Sequence, residues 1–244
     1  MDDQERNNYY NSIKAKLFRE LDQILTIGRD TMISVYSQKV ADELIPEVHQ
    51  EFETLIPHIP YIGGDDNPFT MNLVGSAQFL ALYKVLQRKG IGKDESGIVS
   101  LRIFPKIIRA WYEALEDMPR SDNGTNTARE EVSFGEKVRR WALTSQKRLY
   151  PGDWVYEFLE GNGKDFDSGT DMLECGILKF YKEHDMADLV PYQCAWDIPM
   201  SEVGKRGLHR TKTLAEGGDK CDFRFKMGRE TKVNSTVWRD EFNL

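Results

Sequence analysis

The spacing of apolar residues changes character near residue 150, and that change most restricts what this chain can fold into. Upstream, apolar side chains recur every three or four positions. Ile13, Leu17, Leu21, Ile24 and Leu25 come first, then Met32, Val35, Tyr36, Val40 and Leu44 as far as Pro46. That is the period of one helical face. Phe52, Leu55 and Ile56 add a turn before Pro57 and Pro60. Leu73, Ala77, Leu80, Ala81, Val85 and Leu86 predict another helix, closed by Gly90 and Gly92, and Ile107, Ile108, Trp111 and Leu115 one more, starting near Pro105. Downstream, Trp154, Tyr156 and Phe158 alternate with Val155, Glu157 and Leu159, which is the period of a strand. Helices first and strands last do not supply the alternation a parallel βαβ sheet needs. The expected class is α+β: helices packed on a small antiparallel sheet, with a C-terminal β-hairpin. We expect one domain over residues 1–244, mainly helical over 1–149, sheet-containing over 150–228, and ending in a tail over 229–244; 244 residues can bury a sufficient core unaided.

The strongest turn signal is Glu216-Gly217-Gly218-Asp219-Lys220, flanked by extended runs from Gly207 to Ala215 and from Cys221 to Met227. A loop over Glu216–Asp219 sets Leu214 opposite Cys221 and Arg210 opposite Phe225 on one face. Thr213–Asp222 and Thr211–Arg224 then pair on the other. Cys175 to Glu183 has helical spacing, with Thr170 or Asp171 as N-cap. Ser121 to Thr127 reads as a linker.

Lys and Arg number 33 against 40 Asp and Glu, a net charge of −7, and an acidic surface repels phosphate backbones, so nucleic acid is not an expected partner. No apolar run reaches the ~18–20 residues of a spanning helix, so no membrane partner is expected either. The polar start Met1–Arg6 carries no apolar run, and a cytoplasmic location is the expectation. Neither GxxxxGK[ST], GxGxxG nor GxSxG occurs, and His49, His58, His184 and His209 show no HxH or HExxH spacing. No metal and no cofactor are therefore expected. What remains is a small-molecule substrate, with homo-oligomerisation left open. Cys175, Cys194 and Cys221 are odd in number and match no CxxC pair, which predicts free thiols. Each is either inert and buried or brought to a pocket by the fold.

Arg210-Thr211-Lys212-Thr213 followed by Gly217 and Cys221-Asp222-Phe223-Arg224 reads R-T-x-T-x-x-x-G-x-x-x-C-D-F-R. With Glu174-Cys175 and Cys194-Ala195-Trp196-Asp197 upstream, it resembles the signature of the L-2-amino-thiazoline-4-carboxylic acid hydrolase family over residues 150–227. The resemblance implies hydrolysis of a carbon–nitrogen or related bond in a small cyclic amidine derived from an amino acid or secondary metabolite. A cyclase or isomerase on the same scaffold, or a ligand-binding module without turnover, are the other readings. For the hydrolase it implies a thiol nucleophile, with Cys175 first because a helix start favours the thiolate, and Cys221 second. Asp197 and Asp222 are the candidate proton carriers. Arg210 and Arg224 suit a substrate carboxylate. Thr211, Thr213, Cys194, Trp196 and His209 complete the expected substrate-binding set.

Overall fold

Helix α4 (Thr70–Arg88) is buried along almost its whole circumference, from Leu73 and Val74 through Phe79, Leu80 and Tyr83 to Leu86. A helix apolar all round belongs at the centre of a bundle. Around it stand α1 (Asp3–Ser12), α2 (Lys14–Val35), α3 (Gln38–Leu55), α5 (Lys93–Glu116) and α6 (Asn126–Ser145). This computed structural model describes residues 3–116, 126–239 and 242. In the linker-like stretch, 121–125 lie outside the described residues, and Asn126 and Thr127 open α6. Helix α2 turns Leu17, Leu21, Ile24, Leu25 and Met32 inward, as its spacing predicts. Ser37 caps α3 by accepting a hydrogen bond from Val40 N at 3.3 Å.

Two proline boundaries read from the sequence are interior positions instead. Pro46 lies inside α3 and Pro105 inside α5, which begins at Lys93. An interior proline forfeits one backbone bond at a cost of about 3 kcal/mol. In α5 that loss is offset by burial of Val99, Leu101, Ile103, Phe104, Ile107 and Ile108 around it.

The C-terminal third supplies β1 (Val155–Glu160), β2 (Ser168–Glu174), β3 (Leu208–Arg210), β4 (Cys221–Phe225) and β5 (Lys232–Val233). Between β2 and β3 come three short helices, α7 (Gly176–Lys182), α8 (Val190–Ala195) and α9 (Asp197–Val203). The strand order is β1-β2-β4-β3-β5. All pairings are antiparallel except β3 with β5, so the sheet is mixed where a purely antiparallel one was expected. The expected α+β class holds. Within 229–244, Lys232–Val233 add the edge strand β5 beside β3, and Phe242 is buried in the core.

The hairpin is real, but wider than its turn signal suggests. Leu208 faces Phe225 and His209 faces Arg224, two residues out of the expected register. The connection is long because Leu214–Glu216 forms a 3-10 turn, leaving only three residues to β3. A shift of two preserves which residues share a face. Leu208, Arg210, Cys221, Phe223 and Phe225 look toward the helices; His209, Asp222 and Arg224 look away. Thr170 and Asp171 belong to β2 and cap nothing. The N-cap of α7 is Cys175 itself, whose Sγ accepts from Leu178 N at 3.4 Å.

The outward face is held by charge. Asp171, 6 % exposed, is bridged by Lys220 and by Arg224 Nη2 at 2.8 Å. Asp222 Oδ1 accepts from Thr211 N and Lys212 N, each at 2.9 Å, and Oδ2 from Thr211 Oγ1 at 2.5 Å. Burial alone would raise both carboxyls. The cations around Asp171 and the hydrogen bonds onto Asp222 outweigh it and hold both below the ordinary carboxylate range. A folded-state pKa below the unfolded one stabilises the protein above the unfolded value, near 3.9, and that contribution disappears as pH falls through the folded value. Asp222→Ala is therefore expected to reduce stability by about 1–3 kcal/mol at pH 7. In urea titrations the gap between variant and wild type should close below about pH 4.

Candidate functional site

Three short helices meet strands β3 and β4 on the inward face of the sheet. Helix α8 sits close against α5 because Gly97 has no side chain; a Cβ there would lie 2.5 Å from the Tyr192 ring. This approach sets Cys194. Trp196 follows, its ring stacked on Phe104 with centroids 4.3 Å apart and tilted against Phe79 at 4.4 Å. Asp197 then opens α9, Cys175 caps α7, and Arg210 and Cys221 come from β3 and β4.

Arg210 dominates the cluster. Its side chain is fully buried, with Nη1 donating to Asp197 Oδ2 at 2.5 Å and the guanidinium 5.3 Å from the centre of the Phe223 ring. Nε and Nη2, which form the other edge of the guanidinium, have no hydrogen-bond partner among the described residues, and neither has the buried indole Nε1 of Trp196. A buried N–H without an acceptor is costly and uncommon in a native fold. Two of these three groups lie on one edge of a single guanidinium. Asp197, by contrast, is 34 % exposed at its side chain and lies on the solvent side of the pair.

The three thiols lie within electrostatic reach of this pair. Cys194 senses Arg210, Cys175, Cys221 and Asp197; Cys221 senses Cys175, Arg210 and Asp197. All three are free. Burial pushes the Cys221 thiol up to about 12 and the Cys194 thiol well above its usual range. Cys175 is also raised by burial, against the pull of the Leu178 and Ile177 N–H groups and Lys179. The helix start therefore does not lower its pKa as the sequence reading assumed: desolvation wins. Each thiolate would also repel the others, which adds to the bias toward the neutral thiols. Burial likewise raises the Asp197 carboxyl, with Arg210 and Arg206 acting against it.

The remaining expected residues divide. Thr213 is buried beneath the cluster, but its hydroxyl is committed: Oγ1 donates to Glu216 Oε2 at 2.8 Å and accepts from Glu216 N at 3.2 Å. Thr213 thus caps the 3-10 turn as the first half of a capping box does, while the Glu216 carboxylate takes its hydroxyl rather than its backbone N–H. Thr211, Asp222, Arg224 and His209 lie on the outward face; His209 and Thr211 are exposed. The structure does not bring these four to the thiols. The run from Arg210 to Arg224 thus contains both residues of the buried cluster and the clamps that shape its loop. Leu214 N, on that loop, donates to Cys221 Sγ at 3.2 Å.

With this geometry in place the comparison with protein families decides the lineage. The L-2-amino-thiazoline-4-carboxylic acid hydrolase model matches residues 72–225. The chain belongs to this family. The match takes in α4 from its third residue on and every residue of the Arg210–cysteine cluster. The family name indicates hydrolysis of a small molecule. Among curated proteins none matches the chain, and no solved structure does. Among the described residues, no group of three or more His, Cys, Asp or Glu side chains is placed to hold a metal ion, and no helix is long and apolar enough to cross a membrane. Sequence reasoning missed Glu216 as a site-building residue, although it stands inside the turn motif and three positions after Thr213, the capping-box spacing.

Proposed function

We propose that this family member hydrolyses a small cyclic amidine bearing a carboxylate, by attack of a thiol on the amidine carbon. The observation that carries the reading is the free Nε–Nη2 edge of the fully buried Arg210. A guanidinium edge matches the two oxygens of a carboxylate. Asp197 already occupies Nη1, so the edge is open while the guanidinium stays neutralised. A substrate anchored there places its amidine among Asp197 and the thiols.

Cys175 is the nucleophile in this scheme. It alone carries two backbone N–H groups and a lysine opposing its burial. A bound amidinium adds the positive charge that the empty cluster lacks and favours the thiolate. The Cys175 proton passes to Asp197 as the S–C bond forms, and the C=N electron pair moves to nitrogen. Collapse expels a ring heteroatom, which takes the proton from Asp197. Water then adds to the carbon, and the S–C bond breaks to regenerate the thiol. In an aminothiazoline the same carbon bears both ring nitrogen and ring sulfur, so the leaving group depends on the substrate. Asp222 and Arg224, on the outward face, act on the fold rather than on this carbon.

Ligand binding tests the anchor. A cyclic amidine carboxylate at 100 times its Kd is expected to raise Tm by about 5–8 °C, from roughly 2.7 kcal/mol of linkage. The corresponding carboxamide should leave Tm within 1 °C or so, about the scatter of such scans. Equal shifts from both compounds would remove Arg210 from the anchoring role.

A further inference from the structure

We propose that residues Thr231–Arg239, anchored by Phe242, form a strap whose latch on Glu216 holds the 211–220 loop shut over the thiols, and that substrate is admitted when the latch opens. The segment lies beyond the family match, which stops at residue 225. It nonetheless touches α9, β3 and the turn that precedes β4. Thr231 Oγ1 donates to Ser201 Oγ of α9 at 2.8 Å. β5 then runs parallel to β3, with Val233 beside Arg210. Asn234 N donates to Arg210 O at 2.9 Å and its Nδ2 to Thr211 O at 3.2 Å, closing off the end of β3. Thr236 N and Oγ1 both donate to Glu216 Oε1 at 2.8 Å. Beyond them Arg239 reaches the field of Tyr192 on α8.

Glu216 joins two structures. One carboxylate oxygen takes the strap; the other takes Thr213 Oγ1 and fixes the 3-10 turn. That turn lies against α8 and sets Leu214 N on Cys221 Sγ. Releasing Thr236 therefore loosens the loop that rests on the Cys221 sulfur, at the edge of the cluster. Some such opening is required, since Arg210 is 1 % exposed and Cys221 6 %. Two surface recesses, one at Lys84, Gln87, Arg88 and Met186 and one at Tyr10, Asn11, Ile56 and Pro57, lie away from the cluster. The strap is also the cheapest part to detach. None of residues 231–239 is fully buried, its strand has two residues, and its latch bonds face water. Segments with those properties open well below the energy of global unfolding.

The strap's importance for turnover rests on the function proposed above, but its test reads thiol access alone, so either can fail without the other. The full-length protein is treated with N-ethylmaleimide, and labelling of the three cysteines is followed by peptide mass. Thr236→Val and Glu216→Gln are each expected to label about tenfold faster than wild type, the factor for loss of one charge-assisted bond. Amides 234 and 236 should exchange faster in the same variants. Arg139→Ala, which removes a surface pair with Glu160 on β1, serves as the unlatched control and should label at the wild-type rate. Should Glu216→Gln not fold, Thr236→Val carries the test, because that side chain is exposed. Wild-type labelling rates in Thr236→Val, or labelling whose urea dependence equals that of global unfolding, would overturn the proposal.

Discussion

Arg210→Lys is expected to lower kcat/KM on a cyclic amidine carboxylate by about 10²–10³-fold while the protein stays folded. Lysine keeps the positive charge and can still reach Asp197, so the buried pair is not broken outright. What it lacks is the second edge: an ammonium is a point donor and cannot present two parallel N–H groups to a carboxylate. Two charge-assisted hydrogen bonds at about 1.5–3 kcal/mol each set the size of the loss. Arg210→Ala is a poorer probe. It leaves the Asp197 carboxylate without its buried partner, and breaking such pairs from one side costs about 3–5 kcal/mol in stability. The diagnostic pattern is a loss for carboxylate substrates that shrinks for the carboxamide analogue, which never used the edge.

Cys175→Ser should have the larger effect on turnover, lowering kcat by about 10⁴-fold or more, with little change in stability. Serine is a good N-cap, so its Oγ can take over the bond from Leu178 N that Cys175 Sγ now accepts. The fold therefore loses nothing at α7, while the hydroxyl is a far weaker nucleophile than a thiol. Cys194→Ser and Cys221→Ser provide the contrast. Both put a hydroxyl where a buried thiol stood, so they should affect stability before they affect kcat. If one of them, and not Cys175→Ser, removes turnover, the nucleophile is reassigned within the same cluster.

The helical half was legible because its burial follows a single period. α2 and α4 bury the residues that their spacing singles out. Boundaries failed at Pro46 and Pro105, where core packing on neighbouring turns overrides a local breaker. Strand β2 escaped notice for a different reason. It holds Asp171 on a half-covered face, and a carboxylate there makes sense only once Lys220 and Arg224, some fifty residues away, are known to meet it. Arg210, Cys175, Cys194, Cys221, Asp197 and Trp196 were recognisable as one set through their family resemblance. Their division from Asp222, Arg224, Thr211 and His209 was not, since it depends on the alternation of β3 and β4 about a register that a turn motif alone does not fix. The thiol acidity was misjudged in the same way: a helix start is visible in sequence, whereas desolvation is a property of the packed site.

The central claim is that water is added to a carboxylate-anchored amidine carbon at the Arg210–cysteine cluster. The most direct test is incubation of the wild-type chain, Cys175→Ser and Arg210→Lys with 2-amino-thiazoline-4-carboxylate and a panel of related cyclic amidine acids, read by the mass of the products. The expected result is a product heavier by one water from at least one acid with the wild-type protein, nearly absent with either variant. An isobaric product, no product from any carboxylate, or equal turnover by all three proteins would contradict it.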